Sequence, residues 1–148
     1  YEAMKEHHPD VVLCIGQAGG RTSITVEQIA INLIDASIAD NQGNQPTDIP
    51  VFADGADGYF STLPVKSMVK AIRQAGIPAA VSYSAGTFVC NQLMYGVLYY
   101  IHHSFPQTRG GFVHVPYIPQ QVTSMNRPAP CMALEDIVKG LEAAIRVL

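Results

Sequence analysis

The stretch DVVLCIG, residues 10–16, decides the fold prediction. After its first residue it is wholly apolar, and it lies between the end of a helical pattern and the loop GQAGGR. Such a run is typical of a strand that is covered on both faces, as in a parallel sheet. Two later segments, IPAAVSY (77–83) and GGFVHVPYIP (110–119), are also predicted as strands, and the second leaves the sheet at Pro116.

The segment SITVEQIAINLID, residues 23–35, is harder to assign. Its many β-branched residues favour a strand, although its length would also permit a helix. Apolar and polar residues alternate on either side of a phase slip at Gln28. We therefore predict one extended strand with a bulge at that point.

Helical patterns separate these strands. The first begins at Thr62 as its cap and ends at Gly76, the second follows a cap at Thr87, and the third begins near Ala133. The predicted buried faces are Val65, Met68, Val69 and Ile72; Val89, Leu93, Met94, Val97, Leu98 and Ile101; and Leu134, Ile137, Val138, Leu141, Ile145 and Leu148. Residues 40–60 are predicted as a long loop with a short strand at Val51–Phe52.

Alternating strands and helices predict a three-layer α/β/α fold with a mostly parallel central sheet, formed by residues 1–148 as a single domain. Ligands in such folds gather at the carboxyl ends of the strands. Gln17, Ser84 and His114 all lie at or just past predicted strand ends. We therefore expect functional side chains among these residues.

The composition excludes several classes of function. Only 14% of the residues are charged and the net charge is -3, with no basic run, which argues against a nucleic-acid or membrane-surface partner. The apolar stretches are too short to span a bilayer. The three cysteines are far apart and form neither a disulfide framework nor a CxxC metal pair, so we expect a reducing cytoplasm.

Cys90 lies where a strand turns into a helix, in the stretch YSAGTFVCN (83–91). A helix N-terminus stabilises a thiolate, which is the reactive form of cysteine. The alternative is a buried core residue, because Cys90 has helical spacing to Met94 and Val97. Cys14 lies inside an apolar strand and is expected to be buried, whereas Cys131 lies in a linker with no base nearby in sequence.

A base and a carboxylate are found by elimination. The other histidines occur in pairs at helix ends, and only His114 stands alone at the exit of a strand. Among the acidic residues, Glu27 is a lone charge flanked by apolar neighbours, and a carboxylate buried there would need a partner. The alternative for His114 is a hydrogen-bonded histidine in the core. The alternative for Glu27 is the ordinary alternation of polar and apolar residues on a half-exposed strand.

Three stretches together resemble the pyroglutamyl peptidase family: GQAGGRTSITVEQIAIN (16–32), VSYSAGTFVCN (81–91) and GGFVHVPYIP (110–119). The resemblance implies that Cys90 is the nucleophile, His114 the base and Glu27 the residue that orients it. It also implies a cytoplasmic homotetramer that removes pyroglutamate from the N-terminus of peptides, with no metal or organic cofactor. Two positions depart from the family pattern, since Gln28 and Ser37 stand where basic residues are usual.

A pyroglutamyl group is a neutral lactam, so its binding site needs amide-matching groups in a dry pocket. Gln17 offers both a donor and an acceptor, and Phe88 is placed to pack on the ring. Two other readings stay open. One is a thiol redox protein, which would need a resolving cysteine, and the other is an inactive small-molecule-binding domain or assembly subunit.

The opening YEAMKEHHPD resembles the last turns of a helix, and the family's first strand and aromatic loop have no counterpart in the sequence. Without that strand, neighbouring backbone groups and apolar faces would be exposed. We therefore predict that a polypeptide of residues 1–148 alone is poorly soluble or partly unfolded, and nearly inactive. Its melting transition and its hydrolysis of a pyroglutamyl amide test this, and a soluble, cooperative, fully active protein would contradict it.

Overall fold

The computed structural model describes residues 1–148 as five helices and six strands. The helices are α1 (Glu2–His7), α2 (Val65–Gln74), α3 (Val89–His103), α4 (Pro119–Thr123) and α5 (Leu134–Ile145). The strands are β1 (Val11–Gln17), β2 (Ile24–Glu27), β3 (Ile29–Ile31), β4 (Gly58–Phe60), β5 (Ala79–Ser82) and β6 (Arg109–Val115). The predicted strands at residues 10–16, 77–83 and 110–119 are therefore confirmed. The predicted cover on both faces of the first strand is wrong, because β1 is an edge strand of its sheet and none of its residues, Cys14 included, is fully buried.

Four strands form the main sheet in the order β1-β6-β2-β5. β2 runs parallel to β5, and it runs antiparallel to β6, with Thr25 opposite His114. Backbone hydrogen bonds join Arg109 to Asp10 near the start of β6 and β1, and Ala18 to Val115 near their ends, so these two strands are parallel. Two of the three pairings are parallel, as predicted for a mostly parallel sheet.

The antiparallel pairing of β2 with β6 corrects the expectation that functional side chains gather where the carboxyl ends of the strands meet. It makes the carboxyl end of β2, at Glu27, point away from the carboxyl end of β6. The strand ends of the sheet therefore do not converge on one edge, as they would if all strands were parallel. His114 instead contacts side chains of the adjacent strand, β2, across the β2–β6 ladder.

The prediction of one bulged strand over residues 23–35 is wrong. The chain forms β2, breaks at Gln28, and continues as β3, which pairs antiparallel with β4 in a separate two-stranded sheet. The carbonyl of Gln28 accepts a hydrogen bond from the backbone N–H of Ser61 at 2.9 Å. The phase slip at Gln28 thus marks the point at which the chain leaves one sheet for the other, because β2 pairs with β5 and β6 whereas β3 pairs with β4.

The short strand predicted at Val51–Phe52 is also misplaced, since the strand of this loop is β4. The backbone N–H groups of Val51 and Phe52 instead donate to Asn32 Oδ1 at 2.8 and 3.1 Å. The Asn32 amide nitrogen donates in turn to the carbonyls of Phe52 and Gly55. The Asn32 side chain thus supplies the hydrogen bonds that this backbone would otherwise form by pairing with another strand.

Neither predicted threonine cap is present. Pro64 precedes α2, while the Thr62 hydroxyl bonds to both backbone groups of Gly110. Phe88 is the N-cap residue of α3, and the Thr87 hydroxyl donates to the carbonyl of Asp35 at 2.9 Å. Both hydroxyls are used to join distant segments, which sequence-local capping rules do not anticipate.

The chain divides into two compact units. The first consists of residues Tyr1–Cys14, Gln28–Thr62 and Tyr83–Gly111. In it α3 packs on β3 and β4, and the phenol of Tyr95 donates to the carbonyl of Ala56 at 2.6 Å. Burial raises the pKa of Tyr95 to about 12.

The second unit consists of residues Ile15–Glu27, Leu63–Ser82 and Phe112–Leu148. In it α2 packs on α5, β2 and β5. Gly140 allows the close approach of α5, because a Cβ there would lie 2.4 Å from Cδ1 of the buried Ile24. The predicted face of α2 is confirmed, since Val65, Met68, Val69 and Ile72 are all buried.

The predicted faces of the other two long helices are only partly right. In α3 the residues Val89 and Leu93 are half-exposed, and Asn91 and Tyr95 are buried in their place. In α5 the exposed apolar residues are Leu134, Val138 and Ile145, whereas the helix buries Ile137, Gly140 and Ala144. Small or polar residues that suit a close contact thus override the hydrophobic pattern.

Asn91 is the buried polar residue that we expect to matter most for stability. Its side chain accepts from the N–H of Ile31 at 2.9 Å and donates to the carbonyls of Ile31 and Leu33 at 2.9 and 3.1 Å. Asn91→Ala should lower the free energy of unfolding by about 2–4 kcal/mol, because it leaves buried backbone groups without partners. Urea unfolding measures this, with the exposed Gln92→Ala as the matched control. Equal stability of the two variants would contradict the prediction.

Candidate active site

The second unit contains a buried contact between Glu27 and His114. Their exposed fractions are 0% and 3%, and His114 Nδ1 lies 2.8 Å from Glu27 Oε1. Since a carboxylate can only accept, Nδ1 carries the proton in this contact. Nε2 is then the nitrogen of the neutral ring that can accept a proton.

The β2–β6 ladder produces this contact. Thr25 lies directly opposite His114, and Glu27 is two residues further along β2, on the same face of the strand as Thr25. Glu27 and His114 are therefore diagonal neighbours, within reach of long side chains. The ring of Phe112 packs beside the imidazole, with centroids 4.7 Å apart, and excludes water from this side of it.

Arg21 joins the pair and was not identified from the sequence. Its Nη1 lies 2.8 Å from Glu27 Oε1, the oxygen that His114 contacts, and also bonds to the hydroxyl of Thr25. Glu27 Oε2 is buried and has no hydrogen-bond partner. The available signal was Glu27 itself, because a buried carboxylate calls for a cation and Arg21 is the nearest one before it in the sequence.

In the first unit, Cys90 is the second residue of α3 and is half-buried. Its predicted place in the first helical turn is confirmed, where backbone N–H groups lack helical partners. The turn before it is held by Asp35, whose N–H donates to the carbonyl of Thr87 at 2.8 Å and whose carbonyl accepts from the Thr87 hydroxyl. Gly86 has a φ of 81°, the left-handed conformation that a glycine adopts most easily.

The two residues predicted to bind substrate also belong to different units. Phe88 is half-buried and directly precedes α3 in the first unit. Gln17 is the exposed last residue of β1, in the second unit. Ser37, at one of the two positions that depart from the family pattern, is exposed, and Gln28 is half-buried.

Two further features of the chain concern metals and membranes. No group of three or more His, Cys, Asp and Glu side chains is arranged to hold a metal ion. None of the helices has both the length and the apolar character needed to cross a bilayer.

The sequence matches the family model described as pyroglutamyl peptidase over residues 1–148. The chain belongs to the pyroglutamyl peptidase family. A pyrrolidone-carboxylate peptidase of Clostridium botulinum is 58% identical over 140 residues, which is 95% of this chain and 65% of that protein. One of Streptococcus pneumoniae is 57% identical over 143 residues, which is 96% of this chain and 66% of that protein. The chain thus spans about two thirds of the length of these relatives.

Solved structures of family members agree with this assignment. Pyroglutamyl peptidase I of Bacillus amyloliquefaciens superposes with a TM-score of 0.94 at 49% identity, over 99% of this chain and 69% of that one. Pyrrolidone carboxyl peptidase of Thermococcus litoralis gives a TM-score of 0.94 at 41% identity, over 99% and 68%. The family resemblance and the α/β fold class predicted from the sequence are both confirmed.

The three cysteines of this family member should react at different rates with iodoacetamide near neutral pH. We expect Cys90 to react first because it begins a helix, and the exposed Cys131 second. Cys14 should react last, because burial raises the pKa of its thiol. Mass spectrometry of the alkylated peptides gives the order, with labelling in urea as the control in which all three become similar. Faster labelling of Cys14 or Cys131 in the folded protein would contradict the prediction.

Proposed function

We propose that this chain carries the chemistry of a cysteine peptidase that removes N-terminal pyroglutamate from peptides. The observation that carries the proposal is the buried Glu27–His114 hydrogen bond, which leaves His114 Nε2 as a base. Membership of the pyroglutamyl peptidase family supplies the substrate class.

Cys90 is the proposed nucleophile. His114 Nε2 accepts the proton of the Cys90 thiol, and the thiolate attacks the carbonyl carbon that joins pyroglutamate to the next residue. The tetrahedral intermediate collapses when Nε2 returns the proton to the departing amine, which leaves a thioester on Cys90. A water molecule then gives a proton to Nε2 and attacks the thioester, and the proton returns to the thiol as pyroglutamate leaves.

Glu27 is proposed to stabilise His114 through both steps. The ring becomes an imidazolium each time Nε2 holds the extra proton, and the carboxylate 2.8 Å from Nδ1 offsets that positive charge. The same contact fixes the ring orientation and the tautomer. Because the pair is buried, bulk water screens its interaction only weakly.

Substrate selection is assigned to Gln17 and Phe88. A pyroglutamyl group has no free amine, so it must be recognised through its lactam N–H and carbonyl, and the amide of Gln17 offers a matching acceptor and donor. Phe88 packs against the ring. The backbone N–H of Cys90, in the first turn of α3, is the proposed donor to the developing oxyanion.

We also propose, from the family resemblance, that the protein works in the cytoplasm as a homotetramer. The half-exposed apolar side chains of α5 are compatible with contacts between subunits, since Leu134, Val138 and Ile145 are 52%, 46% and 52% exposed. Size-exclusion chromatography with light scattering measures the assembly directly.

The activity is tested on the full-length gene product, which is the wild-type protein of these assays, with a pyroglutamyl amide and the corresponding prolyl amide, which lacks the lactam carbonyl. The wild-type protein should hydrolyse only the first, and Cys90→Ser should abolish that hydrolysis. Full activity of Cys90→Ser, or hydrolysis of neither amide by the wild type, would overturn the proposal.

Glu27→Gln should lower kcat by about 10³–10⁴-fold, because it removes the charge that stabilises the imidazolium while it preserves the shape of the side chain. Glu142→Gln is the matched control, since the Glu142 carboxylate is 61% exposed. A loss in Glu27→Gln below about tenfold, which corresponds to about 1.4 kcal/mol of barrier, would assign Glu27 a structural role instead.

A further inference from the structure

We propose that Arg21 is a positioning residue that holds the Glu27 carboxylate as a charged, oriented acceptor for His114. This inference rests on the proposed function, because it concerns how the base of that reaction is set up. Arg21 acts through Glu27 and is assigned no contact with substrate. All of the residues that carry the argument lie in the second unit.

The loop between β1 and β2 delivers Arg21 to the pair. Gly20 has a φ of 86°, in the left-handed region, and the N–H of Arg21 reaches back to the carbonyl of Ala18 at 3.5 Å. This tight turn directs the Arg21 side chain along β2. The guanidinium then reaches Thr25 and Glu27, four and six residues further along the chain.

Arg21 and Thr25 together orient the carboxylate. One guanidinium nitrogen, Nη1, contacts both the hydroxyl of Thr25 and Glu27 Oε1. Thr25 is the residue paired with His114 across the ladder. The positions of the guanidinium and of the imidazole are therefore set by the same stretch of β2, so both donors meet at one oxygen.

The burial of Glu27 makes its negative charge costly. Its carboxylate is 0% exposed and Oε2 makes no hydrogen bond, so an uncompensated negative charge there would be strongly disfavoured. While His114 is neutral it donates one hydrogen bond but no charge. The guanidinium is charged at all relevant pH values, so it supplies the missing compensation in the resting state.

Arg21 also repels the imidazolium that forms during turnover. This repulsion is the smaller effect, because Arg21 Nη1 and His114 Nδ1 both lie 2.8 Å from Glu27 Oε1, so the buried carboxylate is the nearest charge to each of them. Loss of Arg21 would leave the buried carboxylate without this charge compensation and with one donor fewer to hold Oε1 in line with His114 Nδ1, so it would stabilise the imidazolium less well. The net effect of removing Arg21 is therefore a slower reaction.

The experiment compares Arg21→Gln, which removes the charge, with Arg21→Lys, which keeps it. Arg73→Gln is the matched control, because Arg73 donates to the carbonyl of Ala79 at 2.7 Å in the same unit without reaching Glu27. Steady-state kinetics with a pyroglutamyl amide give kcat and KM, and thermal unfolding gives Tm. Proton NMR of the 15N-histidine-labelled proteins follows the low-field Nδ1 proton of His114, assigned by its loss in Glu27→Gln.

We expect Arg21→Gln to lower kcat by about 10- to 100-fold, the range for one lost charge-assisted hydrogen bond, with KM within about twofold. Arg21→Lys should recover most of that loss, and the low-field proton should persist in Arg21→Lys and Arg73→Gln but not in Arg21→Gln. If the wild type hydrolyses no pyroglutamyl amide, the proposed function fails, and the NMR comparison alone decides the role of Arg21.

Two results would overturn the inference. In the first, Arg21→Gln keeps kcat within about threefold of the wild type or retains the low-field proton. In the second, Arg21→Lys loses as much activity as Arg21→Gln, together with a Tm below that of Arg73→Gln. That result would mean that the arginine supports the fold and not the charge on Glu27.

Discussion

The hydrogen bond between Glu27 and His114 is the interaction on which the rest of the proposed site depends. It joins a carboxylate to an imidazole at 2.8 Å, and both side chains are almost wholly buried. A carboxylate is tolerated there only because two donors meet at its Oε1 atom, the imidazole and the guanidinium of Arg21. Burial of the pair is thus a cost to the stability of the unit, and the pair is the proposed source of its reactivity.

The sheet that carries this pair is mostly parallel, but the site is built at its antiparallel pairing. Because β2 and β6 run in opposite directions with Thr25 opposite His114, the side chains of Glu27 and His114, to which we assign catalytic roles, meet across the ladder. A uniformly parallel sheet would instead place functional groups in loops at one edge. Here the register between β2 and β6, and not the conformation of a loop, sets the distance between Glu27 and His114. This register is strongly fixed, because a shift by one residue would turn every side chain of the strand to the opposite face of the sheet.

The start of α3 is held by a different device. Asn91 bonds to backbone groups at the end of β3 and just after it, and Thr87 bonds to Asp35 further along, so the turn that presents Cys90 is attached to this part of the chain at two places. The Asn91 amide and the Thr87 hydroxyl supply hydrogen bonds to backbone groups that helix caps or strand pairing supply elsewhere. Both the ladder contact and this turn therefore rely on polar side chains whose partners are far away in sequence.

The sequence by itself determined the α/β class, the main strands and the family, since apolar runs, helical spacing and three motifs are local features. It also singled out Glu27 and His114 by elimination. It did not determine that residues 23–35 divide between two sheets, that Thr62 and Thr87 are not caps, or that Arg21 reaches Glu27. Those features depend on which distant backbone group or charge lies within hydrogen-bond distance, and only the tertiary structure decides that distance.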